Sequence, residues 1–219
     1  MMNAAHDPTA TLVDPRAYAG VMVILAMLMV GCGGNAETEP AVNTTIGRPP
    51  STTAPHINDN TGDTMQTDLT LPIRQGGRPR VTDGIPHVQL DQAASDEMLA
   101  ELSAWAFSLD GVVERPSRAS LPGARALTVA PELAANRQAM IVGREFAHIH
   151  PQPNGGGSLH LRLPADQALE VVDKGWGEWH PFAVDGTMPG MVMVYAPRSD
   201  EDLEVVKTII EASVAHATA

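Results

Sequence analysis

Three histidines stand at strand spacing within a short stretch. His148 and His150 lie in Arg144-Glu145-Phe146-Ala147-His148-Ile149-His150, and His160 in Ser158-Leu159-His160-Leu161-Arg162-Leu163. Neutral imidazole can hold Fe, Cu, Ni or Zn, and near neutral pH it takes up and returns protons. Both jobs need the rings to converge. Strand side chains alternate between faces, so Phe146, His148 and His150 are expected on one side and Ala147 and Ile149 on the other. In the second run Leu159, Leu161 and Leu163 share one face, and Ser158, His160 and Arg162 the other. Only an even register, turning near Asn154, puts the leucines beside Ala147 and Ile149. That register sets His160 across from His148 and Ser158 across from His150. The expectation is a hairpin with one apolar face and one histidine face.

Around that face, His148, His150 and His160 are the candidate catalytic residues, with Arg144 or Arg162 as the cation that steadies a developing oxyanion. Downstream, Gly175-Trp176-Gly177-Glu178-Trp179-His180-Pro181 offers His180 beside Trp176 and Trp179, which could form an aromatic wall for a flat ligand. The competing reading makes the tryptophans core and the histidines polar face residues satisfied by Arg162, Glu178 or backbone. A facial three-histidine metal site is the lesser reading, because the cupin-type pattern places a Glu shortly after the second His and Pro151 to Gly157 supplies none. No metal ligand is assigned. The Gly155-Gly156-Gly157 run lacks the strand-to-helix Lys of a phosphate loop and reads as a turn.

These residues also carry a resemblance. Arg144-Glu145-x-Ala147-His148-x-His150, Leu159-His160-Leu161, Lys174-Gly175-Trp176-Gly177-x-x-His180-Pro181 and Tyr195-Ala196-Pro197-Arg198 are similar to the signature of the fungal luciferase domain and its bacterial relatives. Upstream, Leu71-Pro72-x-Arg74-x-Gly76-x-Arg78-Pro79 and Gln89-Leu90 resemble that family's opening segment. The resemblance implies oxidation of a hydroxylated pyrone-like compound by molecular oxygen with no added organic cofactor. It implies no settled catalytic residues, and it speaks to fold and candidate chemistry more than to substrate.

The chain has 219 residues and a formal charge of −12, with a pI near 4.9. Such acidity opposes generic affinity for phosphate backbones, so nucleic acid is not an expected partner. Residues 1–32 read as a lipoprotein-type export segment. Val21 to Val30 is an apolar run too short to span a bilayer, and it leads into Met29-Val30-Gly31-Cys32, which resembles a lipobox. Cys32, the chain's one cysteine, is the expected lipidation site, which would place the protein in the cell envelope, anchored to a membrane. Residues 33–67 are Thr-, Pro- and Gly-rich without apolar period and read as a disordered tether. Residues 68–219 are left as the domain.

The elements that must position the histidines can be read more coarsely. Leu71 to Arg80 is expected as an extended arm leading to His87-Val88-Gln89-Leu90. Ser95 caps a helix ending at Asp110-Gly111. Strands follow at 112–114, 125–129, 139–150 and 158–163. A short helix from Pro164 turns Leu169, Val172 and, on the same side, Val171 inward and closes at Gly175. Another strand covers 191–195, and a final amphipathic helix is capped by Ser199. Strands without regular β-α alternation argue for an α+β domain, an antiparallel sheet with helices on one face. The histidine face would then look away from the helices, either open to solvent or covered by the arm and the 176–182 loop. Two functional readings follow: an oxygenase acting on a small phenolic or pyrone-like compound, or a non-catalytic surface lipoprotein that binds a small ligand or envelope partner.

Overall fold

The computed structural model describes residues 68–219; the expected export segment, with Cys32, and the expected tether lie outside the described residues. Four helices and six strands follow in the order α1 (Asp96–Ala106), β1 (Val112–Pro116), β2 (Arg125–Val129), β3 (Glu145–Ile149), β4 (Leu159–Arg162), α2 (Ala165–Asp173), β5 (Gly177–Trp179), α3 (Pro181–Val184), β6 (Met191–Val194) and α4 (Asp200–Thr218). The strands form one antiparallel sheet ordered β1-β2-β3-β4-β6-β5. The chain is therefore an α+β domain, as the patterning predicts. Among the described residues no helix is long and apolar enough to cross a membrane.

Local chemistry accounts for the helix ends. Ser95 accepts the Met98 amide and Ser199 the Asp202 amide, each satisfying an N–H that the helix cannot. Gly175 takes a positive φ of 79° just beyond α2. Of the residues expected inward on that helix, Val171 is buried and Val172 packs against the core, whereas Leu169 is 48% exposed and Ala168 is buried instead. Nine residues make too short a stripe for periodicity to choose between adjacent faces.

The sheet register sorts the two faces. Leu127, Ala147, Leu161, Val192 and Trp179 lie in one row across β2, β3, β4, β6 and β5. The first four join the buried cluster with Leu102, Ala106, Val171, Leu203, Val206, Ile209 and Ile210 from the helices. The neighbouring row runs Ala126, His148, His160, Met193, Glu178. Its side chains project oppositely, away from the helices.

Two strand expectations change. The expected strand at 139–150 is shorter, because Arg137–Ala139 forms a 3₁₀ turn and the chain reverses near Val142 before β3 begins. Within β3 the pairing skips a residue: Leu127 faces Ala147 but Thr128 faces Glu145. This bulge leaves Phe146 unpaired and reverses the local alternation. Phe146 therefore enters the apolar cluster, fully buried, instead of joining the histidine face. Glu145 takes up that position.

Candidate active site

His148 and His160 face each other across β3 and β4 as the even register requires, and His150 pairs with Ser158 through its backbone amide. The rings converge. His148, His150 and His160 have centroids 4.6 to 5.3 Å apart. Two further rings close over them. His180, the residue capping α3, lies edge-on to His160 at 4.5 Å. His87, from the arm, stacks on His160 at 5.3 Å with planes 11° apart. All five are buried.

Hydrogen bonds determine which nitrogens carry protons. Glu145 accepts from the Ser117 hydroxyl and the Arg118 amide, and its Oε1 lies 2.9 Å from His148 Nδ1. Burial works to raise this carboxyl, but the bonds from His148, Arg118 and Ser117 outweigh it and hold its pKa below the ordinary value. An ionised Glu145 makes His148 Nδ1 the donor. His148 Nε2 then accepts from His160 Nδ1, 3.1 Å away, and a bare lone pair is left on His160 Nε2.

The second dyad is built the same way. Glu178 Oε1 lies 2.9 Å from His87 Nε2, and its Oε2 accepts from the Tyr195 hydroxyl. Burial opposes ionisation of Glu178, yet these bonds keep it below its usual range. Burial, with the Glu178 bond and charge, pushes the Tyr195 phenol up. His87 thereby donates through Nε2 and exposes a lone pair at Nδ1. His160 Nε2 and His87 Nδ1 are both buried with no hydrogen-bond partner. Two imidazoles, His87 held directly by Glu178 and His160 held through His148 by Glu145, thus present unpartnered nitrogens in the buried cluster.

The remaining rings are also oriented. Ser158 commits its hydroxyl proton to the Gly155 carbonyl, so it accepts from His150 Nδ1 at 2.9 Å. His180 Nδ1 accepts the Phe182 amide, placing the proton of neutral His180 on Nε2. Burial, then the charges of neighbouring histidines, lowers the His150 pKa to about 3 and that of His180 to about 4. The same causes hold His160 well below its ordinary value. These rings are neutral at pH 7.

Other expected site residues lie elsewhere. Arg144 donates to the carbonyls of Val129, Ala130 and Leu133, which commits its guanidinium to the loop after β2. Arg162 donates to the Met140 carbonyl, and its charge acts on His216 of α4. Neither supplies the cation expected beside the imidazoles. Trp176 is core, with its indole N–H bonded to the Pro72 carbonyl. Trp179 packs against the core because it occupies the apolar row, one residue out of phase with Glu178. The aromatic ring beside the histidines is Phe182, 4.9 Å from His180. The expected wall of tryptophans is therefore absent from this face.

Reading the sequence missed His87 and Glu145, and had Glu178 only as a neighbour that could satisfy the histidine face. His87 is placed by Gln89, which bridges to Val81 and Gly155, accepts the Ala196 amide and donates to the Asp91 and Gln92 carbonyls. The glycine turn is also part of the site: a Cβ on Gly155, at φ 105°, would meet His150 Cβ at 2.6 Å. Cavity size gives no guidance here. The larger surface cleft, ≈ 700 Å³, lies along the β1–β2 loop near Pro116, Leu121 and Arg125, and none of the five imidazoles lines it.

Residues 143–213 match the family model described as Luciferase domain, a span that includes His148, His150, His160 and His180. The luciferase of Neonothopanus nambi is 32% identical over 171 residues, which cover 68% of this chain and 61% of that protein. Luciferases of Armillaria mellea and Armillaria gallica are 47% identical over 79 residues, 34% of this chain and 29% of theirs. The chain thus spans less than two thirds of these relatives. No solved structure matches it.

Proposed function

Because the chain belongs to the luciferase-domain family, we propose that its histidine cluster binds a small hydroxylated aromatic or pyrone-like compound and oxygenates it with dioxygen. The supporting observation is that His87, backed by Glu178, and His160, backed by Glu145 through His148, leave His87 Nδ1 and His160 Nε2 buried without partners. Such lone pairs accept the acidic hydrogen of an enol or phenol and hold the resulting anion away from water. The anion passes electrons to dioxygen, a carbon–oxygen bond forms, and the proton returns to the peroxide oxygen. The net change is S–H plus O₂ to S–OOH, which consumes no external reductant. His148 relays charge between His160 and Glu145, and His87 has the matching support from Glu178. Entry is proposed beside Glu178 and Phe182, which are partly exposed while the five rings are not.

Oxygen uptake with a panel of hydroxylated pyrones tests this reading. Wild type is expected to consume oxygen, and His148→Ala and His160→Ala to lose about 10²-fold or more of the rate. No uptake by folded wild type removes the enzyme reading for those compounds and leaves a ligand-binding lipoprotein. The proposed location is the cell envelope, with Cys32 lipidated. An intact, unmodified N-terminal segment in the mass of protein purified from its native membrane would contradict that anchor.

A further inference from the structure

We infer that the domain binds one divalent late first-row transition ion through His87, His160 and His180. The proposal deepens the preceding reading, since it fills the same site, but the ligand set stands independently of any substrate. Ring nitrogens of these three residues lie within 4.8 Å of one another. Zn–N bonds of 2.0–2.1 Å put tetrahedral ligands about 3.4 Å apart, so a closure of roughly an ångström completes the triangle.

Four observations favour a cation. His160 Nε2 and His87 Nδ1 are buried and unpartnered, free to ligate as imidazole lone pairs do. Each ring is held from behind, His87 directly by Glu178 and His160 through His148 and Glu145. Carboxylate support of this kind fixes the tautomer and raises ligand basicity. The arginines expected to supply positive charge are committed to carbonyls elsewhere. Finally, two carboxylates held below their ordinary pKa, Glu145 and Glu178, stand behind the cluster, and a divalent ion would offset their charge.

The overlapping set of His148, His150 and His160 also has its ring nitrogens within 4.8 Å. It is the poorer choice, because both nitrogens of His148 are already engaged, by Glu145 and by His160. His180 completes the preferred set by releasing the Phe182 amide from Nδ1 or by exchanging its Nε2 proton, at the expense of one helix-capping hydrogen bond. An all-imidazole set suits Zn, Cu, Ni or Fe and is unsuited to Mg or Ca.

The test uses the full chain purified without chelators. Elemental analysis is expected to find about one equivalent of metal. After stripping with EDTA, Co(II) titration should saturate at about one equivalent with visible ligand-field bands, and Zn(II) should raise the melting temperature. His87→Ala, on the arm, and His160→Ala should each weaken binding at least about 10–100-fold. Glu178→Gln should weaken it less while leaving the stripped fold intact by circular dichroism. Substoichiometric metal together with no Co(II) bands in well-folded stripped protein overturns the proposal, as does unchanged affinity in both histidine variants. Oxygen uptake separates the two readings. Full activity in stripped protein that binds no metal sinks this inference alone, whereas stoichiometric metal without uptake sustains it and sinks the oxygenase reading for the compounds tried.

Discussion

At the scale of single residues, the site depends on which nitrogen of each ring carries the proton. Glu145→Gln keeps the shape of the side chain but removes the charge that makes His148 Nδ1 a donor. This positioning residue is expected to lower turnover about 10–100-fold. It should also displace the pH–rate profile, a readout that simple loss of stability would not move. Arg144→Ala should behave oppositely. It breaks three bonds to carbonyls, so denaturant unfolding should show a loss of about 1–3 kcal/mol while the pH–rate profile stays unchanged. The difference between sequence expectation and structure is clearest here. His148 opposite His160 was legible because leucines on β4 and Ala147 and Ile149 on β3 tolerate only an even register. Phe146 and Glu145 were not, because the bulge that exchanges their faces is a property of pairing with β2.

At the scale of elements, three pieces of chain bring the rings together: the β3–β4 hairpin, the arm carrying His87, and the β5–α3 segment carrying His180. The hairpin turn has little room for change. Gly155→Ala adds a Cβ at 2.6 Å from His150 Cβ in a backbone conformation that L-residues avoid. It should cost about 1–3 kcal/mol in denaturant unfolding and shift His150 in NMR spectra. Phe146→Ala should cost about 3–5 kcal/mol, as expected for a buried phenylalanine and not for one on a polar face. The arm resisted sequence reading for a physical reason. A Pro- and Gly-rich segment has no period, and its course is set by Gln89, whose partners lie in Gly155 and Ala196, far along the chain. The resemblance at Gln89-Leu90 was the available signal, but it did not single out His87.

At the scale of the whole molecule, the sheet divides conventional hydrophobic packing on the helix side from a buried polar cluster on the other. That cluster makes stability depend on pH. His150 and His180 have folded-state pKa values of about 3 and about 4, below the roughly 6.5 of an unfolded histidine. Between those values the unfolded chain binds more protons, so their contribution is fully present above about pH 6.5 and is lost as pH falls toward 4. The loss should be up to about 3 kcal/mol per ring, read as a falling melting temperature, and the depressed carboxyls of Glu145 and Glu178 add to it as pH falls further. The fold class itself was legible, since strand and helix periods are local properties. The five-histidine cluster was not, because it is assembled from three distant parts of the chain.

At the centre of the site, His87 supported by Glu178 and His160 supported through His148 by Glu145 turn bare nitrogens into the buried cluster. Long-range ¹⁵N–¹H NMR of histidine-labelled, metal-stripped protein near pH 7.5 tests it directly. His160 Nε2 and His87 Nδ1 should show unprotonated, pyridine-type shifts, while His148 Nδ1, His150 Nδ1 and His87 Nε2 carry protons. Protons on His160 Nε2 and His87 Nδ1, or five rings titrating independently near pH 6.5, would contradict the account.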